Sequence, residues 1–243
     1  METLELDVVN SKLQLTEKEL GMINDFIPAS LEKLNADDLI AVRFRATDNL
    51  LNRSYGKWGL DELPILKNLL LGLPLTLDHA WEDIGKTQAL IFNAEIRQYQ
   101  APRWAIDRAG NGKINRQIIK QEGGYFSLEF DAAFSPDAPA IRALQFGKLQ
   151  SISLGGFEYE DHICPLCGVS FEDENCPHLQ PDKWWNIKPG ETYETSQGAR
   201  EVAPFFIRSG VRDLGEASLV LIPNYPAAGV VKRHQLSDLI SDK

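Results

Sequence analysis

The feature that most restricts how this chain can fold is a short run of metal-binding residue types: Cys164-x2-Cys167-x8-Cys176-x-His178. It contains all three cysteines of the 243-residue chain, within thirteen positions. Three thiols cannot pair completely as disulfides, and their confinement beside a histidine points to a metal ion. A Cys-x2-Cys turn aims both thiolates at one ion, and Gly168 just after it lets the backbone bend toward sulfur. The Cys-x-His pair closes a tetrahedron from the far side of a short loop. Three sulfurs and one nitrogen suit zinc, and four protein ligands leave no open position. A structural Zn2+ held by Cys164, Cys167, Cys176 and His178 is therefore expected. His162 precedes Cys164 by two, as His178 follows Cys176 by two, so it is the rival fourth ligand. No His-x3–5-His pair and no basic recognition helix follows, which separates the segment from DNA-reading fingers.

Net charge is −10, a balance that repels free polyanions and argues against general nucleic-acid binding. The one basic-leaning stretch, Arg97, Arg103, Arg108, Lys113, Arg116 and Lys120, reads as a solvated loop. The longest apolar run, Ile65 to Leu77, is broken by Lys67, Asn68, Gly72 and Pro74. It falls short of the roughly 20 residues that span a bilayer. The start, Met1-Glu2-Thr3-Leu4-Glu5, lacks the basic-then-apolar order of a secretory signal. Neither a membrane nor nucleic acid is an expected partner.

Four segments follow from patterning. Residues 1–36 form a helical extension: Thr16 and Glu19 fit a capping box, Leu20, Ile23, Phe26 and Ile27 recur at helical spacing, and Pro28 ends the helix. Packing of that helix on its own domain is favoured over a docking arm. The main domain spans 37–231. Within it strands are expected at Leu39 to Ala46, Leu90 to Ile96, Tyr125 to Phe130, Leu149 to Phe157, Val202 to Ile207 and Ala217 to Ile222. Helices are expected at Leu63 to Leu71 and Pro136 to Phe146, and Trp104 to Ile106 and Ile114 to Ile119 have helical character. The zinc knuckle is an insertion, 158–200, in which Trp184 to Gln197 reads as polar and irregular and the two tryptophans as cover for core or zinc-loop surface rather than substrate binders. Residues 232–243, with His234, are a polar tail. Many short strands with few helices give an α+β fold, an antiparallel sheet or barrel flanked by helices.

Two further segments carry chemistry. Leu149, Ser151 and Ser153 share one face of their strand, and Gly155-Gly156 then permit a bulge or close backbone approach. A serine ending a strand beside exposed N–H groups can act as a nucleophile with an oxyanion site. It needs a base, and His79 of Asp78-His79 is the best candidate. Ser218 reads as a strand residue that packs or hydrogen-bonds locally.

Three motifs, in order, resemble the tailed-phage prohead maturation proteases, which share the herpesvirus assemblin fold. The first is Gly72-x-Pro74 leading to Asp78-His79 and Ile84-Gly85. The second is Ser151-Ile152-Ser153-Leu154-Gly155-Gly156-Phe157, similar to a Val-Ser-x-Gly-Phe strand. The third is Glu216-Ala217-Ser218-Leu219-Val220 with Pro223-Asn224-Tyr225-Pro226-Ala227-Ala228. The resemblance covers about Asp38 to Val231. It implies a mainly antiparallel, assemblin-like β-barrel flanked by helices, with Ser153 as nucleophile and His79 as base. This chain departs from the pattern in having two glycines before Phe157 and Ser151 where some relatives are acidic. A third catalytic member is open between His162 and His178 downstream, the latter engaged by zinc, and Asp78, Asp161 and Glu216.

The role so implied is a phage capsid-assembly serine endopeptidase. It would cut scaffold or capsid-protein extensions in the prohead, assembled in the host cytoplasm, with the major capsid or scaffold protein as partner and a homo-oligomer as one assembly state. The alternative is a non-enzymatic virion protein that keeps the fold and the structural zinc. A zinc-ribbon nucleic-acid binder is disfavoured by charge and by the lack of basic-aromatic interleaving.

Overall fold

The computed structural model describes residues 15–80, 82–107, 110–148, 151–170, 173, 175, 176, 178, 189–194, 198–221 and 228–230. In chain order the elements are α1 (Glu17–Asp25), β1 (Ile40–Asp48), β2 (Gly56–Trp58), α2 (Glu62–Leu70), β3 (Pro74–Leu77), β4 (Ala89–Tyr99), α3 (Arg103–Asp107), α4 (Gly112–Glu122), β5 (Tyr125–Phe134), α5 (Pro139–Gln145), β6 (Ser151–Ile163), β7 (Thr192–Glu194), β8 (Arg200–Val202), β9 (Phe206–Val220) and β10 (Gly229–Val230). Among the described residues no helix is long and apolar enough to cross a membrane.

The central layers form where alternation is cleanest. Phe44 pairs with Phe130 in register between β1 and β5, their rings 5.4 Å apart. With Ile91, Leu128, Ala132 and Phe134 they line the core, which α2 caps through Leu63, Leu66 and Leu70. The period of two puts charge on the other face of the same strands. There Arg43 donates to both oxygens of Asp131 at 2.7 Å and meets Glu95 at 2.8 Å. Arg45 donates to Ser127 Oγ at 2.7 Å, and Tyr99 Oη to Glu129 at 2.9 Å. Glu129 and Asp131 are buried, so these partners offset a desolvation cost of several kcal/mol per ion.

The fold is α+β, but the expected antiparallel barrel is corrected. The sheet is mixed: β2 and β3 run parallel to β9. Pairing proceeds β2-β9-β3-β4-β5-β1-β10-β6, and β6 also pairs with β9. The sheet therefore curls, but among the described residues no ladder joins β1 directly to β6: the two-residue β10 lies between them, with two register pairs to β1 and one to β6. A seam that thin is not a closed ladder. The long connections that let β3 lie beside β9 leave no local trace, which is why alternation alone suggested an all-antiparallel arrangement.

Local signals fared well where they were strong. The capping box closes, with Glu19 N donating to Thr16 Oγ1 at 3.2 Å and Thr16 N to Glu19 Oε2 at 2.8 Å. Ile23 of α1 is buried against Leu39, Ala41, Phe92 and Ala133. Other boundaries differ. β6 runs six residues past Phe157; in place of the strands expected at Val202 to Ile207 and Ala217 to Ile222, Val202 ends β8 and Phe206–Val220 is one fifteen-residue β9. β2 and β3 are too short to show a period. β7 and β8 form a small hairpin in and beside the segment read as irregular. The basic stretch is helical rather than a loop but stays solvated: Arg103 and Arg116 pair with Asp107 while 96 % and 57 % exposed, and Arg97 pairs with Glu95 on β4. Trp184, Trp185, His234 and residues 223–227 lie outside the described residues.

Candidate active site and metal centre

β6 and β9 pair antiparallel from Ser151↔Val220 to Ile163↔Ile207, and the two groups of chemistry-bearing residues sit at opposite ends of this ladder. At the first end β3 lies against the other side of β9, with Thr76 level with Ser218. Ser153 is opposite Ser218 on β6. Thr76, Ser218 and Ser153 thus form one row across three strands. Their neighbours Leu75, Ala217, Leu219 and Ile152 point into the core, which leaves the row on the opposite face with Glu216.

His79 reaches this face through a strained turn. Asp78 and His79 have φ of 53° and 59°, left-handed values uncommon without glycine. Such residues cost on the order of 1 kcal/mol or more each and persist only where their surroundings hold them. Here Asp78 N donates to Leu219 O at 3.0 Å, His79 N to Ser218 Oγ at 3.1 Å, and Ala80 N to Leu77 O at 3.1 Å. The ring then lies with Nδ1 2.5 Å from Glu216 Oε1. Glu216 is buried, while the His79 side chain is 44 % exposed. The other carboxylate oxygen, Oε2, accepts from Thr76 Oγ1 at 2.7 Å and from Ser218 Oγ at 2.8 Å. Thr76 and Ser218 hydroxyls also touch each other. A buried carboxylate is costly unless its lone pairs are filled, and these three groups fill them.

The two glycines have separate reasons. Gly155 lies opposite Glu216, and a Cβ there would stand 2.8 Å from Glu216 Oε1 and 3.1 Å from His79 Nδ1. The bare Cα is the space the His–Glu pair occupies. Gly156 has φ +69°, and its Cβ would meet Gly215 Cα at 2.9 Å.

With Nδ1 engaged by the carboxylate, Nε2 is the ring nitrogen left to exchange a proton. Among the described residues no hydrogen bond joins Ser153 Oγ to His79. The two are related through Ser218, which stands opposite Ser153 on the ladder and accepts from the His79 backbone N–H. An imidazole whose one nitrogen meets a buried carboxylate keeps its other nitrogen for taking a proton from a hydroxyl brought to it. Of the open third-member candidates, Glu216 touches His79. Asp161 and His162 lie about 25–30 Å further along β6 at strand spacing, and His178 is with the cysteines. Glu216-x-Ser218 was readable as a same-face pair on a strand; what the sequence did not reveal was that β3 lies alongside it.

At the far end, β6 leads directly into Cys164. The three Sγ atoms of Cys164, Cys167 and Cys176 and a ring nitrogen of His178 all lie within 4.8 Å of one another. Cys164 Sγ is 3.6 Å from His178 Nδ1, and Cys167 Sγ is 3.7 Å from Cys176 Sγ. A tetrahedral ion with metal–sulfur and metal–nitrogen bonds of about 2.3 and 2.0 Å would give edges of about 3.5 Å for S–N and 3.8 Å for S–S, so the group can hold a metal ion. The turn is locally built: Gly168 N donates to Cys164 O at 2.8 Å, Cys164 N to Val169 O at 2.9 Å, and Gly168 adopts φ +74°. Cys164 and Cys176 pack on Phe206 at the start of β9. Without an ion, burial pushes the Cys164 thiol up to about 12. His162 is outside this group. Its Nε2 lies 3.0 Å from Tyr159 Oη and its ring packs edge-on against Phe206. Burial, then Arg208, pulls it down to about 4.

No protein-family model, no curated protein and no solved structure matches the chain.

Proposed function

We propose that the chain is a serine endopeptidase of the phage prohead-maturation type, with Ser153 as nucleophile, His79 as general base and Glu216 as the carboxylate that orients it. The observation that carries this is the 2.5 Å contact of His79 Nδ1 with buried Glu216, on the strand face that also carries Ser153. His79 Nε2 takes the Ser153 Oγ proton as Oγ adds to the scissile carbonyl carbon. The imidazolium, stabilised by Glu216, passes that proton to the departing amine as the C–N bond breaks. Water then adds to the acyl-enzyme by the same proton relay, releasing acid and restoring the serine. Ile152 N donates to Ala228 O at 3.3 Å, away from β9. Alternation turns the Leu154 N–H to that same side, where, among the described residues, β10 pairs with β6 at Ser151 alone. In this reading the Leu154 N–H donates to the oxyanion.

The metal in this reading is structural Zn2+. Its sulfur-rich, complete ligand set leaves no site for substrate, and it lies about 35 Å from Ser153 along β6 at strand spacing. The phage setting, with capsid or scaffold extensions as substrate, rests on the three ordered motifs.

The test pairs a serine-reactive phosphonate with co-expression. Labelling at Ser153 that needs His79, and partner cleavage lost in Ser153→Ala, support the reading. Partner left equally uncut by wild type and variant, with no labelling, sinks it. That second result favours the non-enzymatic virion protein, which the missing Ser153–His79 hydrogen bond among the described residues also suits.

A further inference from the structure

We infer that Ser218 and Thr76 are positioning residues that fix the tautomer and direction of the His79 ring through Glu216. This rests on the serine-peptidase reading for its meaning, but its physical content is independent of it. Ser218 Oγ touches every part of the unit. It donates to Glu216 Oε2 at 2.8 Å, accepts from the His79 backbone N–H at 3.1 Å and contacts the Thr76 hydroxyl. Thr76 Oγ1 donates to the same Oε2 at 2.7 Å. Both hydroxyls are buried, so water cannot replace either bond.

The consequences follow from counting donors. An ionised carboxylate only accepts. The two hydroxyls have two protons for three contacts among Thr76 Oγ1, Ser218 Oγ and Oε2, so at least one of them is given to Oε2, which leaves Oε1 toward the ring. The short Nδ1–Oε1 contact then requires the proton on Nδ1, and Nε2 is left as the lone-pair nitrogen. Ser218 also holds the backbone of His79 at φ 59°, where the ring would otherwise be free to leave with a relaxing turn. One serine thereby couples the strain of the turn to the aim of the imidazole. Ser218 sits where a sequence reading sees only an in-strand hydroxyl, because both of its distant partners, Thr76 and His79, come from more than 130 residues upstream.

The test uses the full chain with isotopically labelled histidine. NMR reads the His79 Nδ1–H proton and the two ring nitrogens in wild type, Ser218→Ala, Thr76→Val and Thr76→Ser, with Ser153→Ala as control. The wild type should show a protonated Nδ1 with a slowly exchanging, low-field proton. Ser218→Ala and Thr76→Val should lose that signal or move it toward free imidazole, while Thr76→Ser, which keeps the hydroxyl, and Ser153→Ala should retain it. Phosphonate labelling of Ser153 should slow about ten- to a hundredfold in the first two variants, the range of one lost hydrogen bond to a charged group. Folded Ser218→Ala and Thr76→Val proteins with wild-type His79 signals would overturn the inference. So would a wild-type Nδ1 without a proton. Absence of labelling in the wild type, with the signals behaving as stated, would overturn only the peptidase reading.

Discussion

Replacing Gly155 with alanine tests the geometry of the His79–Glu216 pair at a modest cost to the fold. The backbone at Gly155 lies outside the left-handed region, so alanine is tolerated conformationally and gains about 0.4–1 kcal/mol by restricting the unfolded chain. Its methyl, however, would stand 2.8 Å from Glu216 Oε1, 3.1 Å from His79 Nδ1 and 3.4 Å from Glu216 Cγ. Comfortable contacts lie at about 3.5 Å or more, so something must retreat by roughly 0.5 Å. Glu216 cannot retreat cheaply, because Thr76 and Ser218 hold its other oxygen. The ring of His79, partly exposed, gives way instead. Overpacking of this kind costs about 1–3 kcal/mol, which after the entropic gain leaves a net loss near 1–2 kcal/mol. In a chain of this size that is a Tm decrease of about 2–8 °C. Activity should fall more steeply, by about a hundredfold, since misplacing a reacting group by the order of 1 Å costs that much. The assay is the rate of phosphonate labelling at Ser153 beside thermal unfolding. Gly156→Ala is the counterpart, strained at φ +69° and colliding with the Gly215 backbone at 2.9 Å, so it should lose more stability than Gly155→Ala. Wild-type labelling in a folded Gly155→Ala protein would refute the reasoning, since the methyl would then have found room without moving the base.

Two further outcomes are expected. Metal analysis should find one zinc per chain, and chelation should loosen amide protection across 158–200 before it alters β4, β5 or phosphonate labelling; unchanged protection there counts against a structural ion. Asp131→Ala strips Arg43 of two 2.7 Å bonds and Asn93 of one at 2.9 Å. Breaking a buried pair costs about 3–5 kcal/mol, and because Arg43 is 19 % exposed and keeps Glu95, a loss nearer 2–3 kcal/mol is expected, read as a fall in the denaturation midpoint without loss of labelling; an unchanged midpoint would contradict the buried network.

What the sequence determined by itself is what lies close together along the chain. The α1 capping box needs Thr16 and Glu19, three residues apart. The metal group spans fifteen positions, so spacing alone could bring Cys164, Cys167, Cys176 and His178 together, and Gly168 declared the turn. Strand alternation also separated the face of Ser153 from that of Ile152. The choice between His162 and His178 was beyond it, because only packing shows His162 engaged with Tyr159 and Phe206. The partner of His79 was further out of reach. Glu216 is 137 residues away and meets His79 only because β3 runs parallel to β9 in one register. A parallel pairing has no tight turn to announce it, and β3 is four residues long, so nothing local encodes which carboxylate it will meet. The same holds for the open seam at β10, where two residues decide whether the sheet closes. The Cys3His group is legible in the sequence because its members are neighbours; the His79–Glu216 pair exists only as a product of tertiary register.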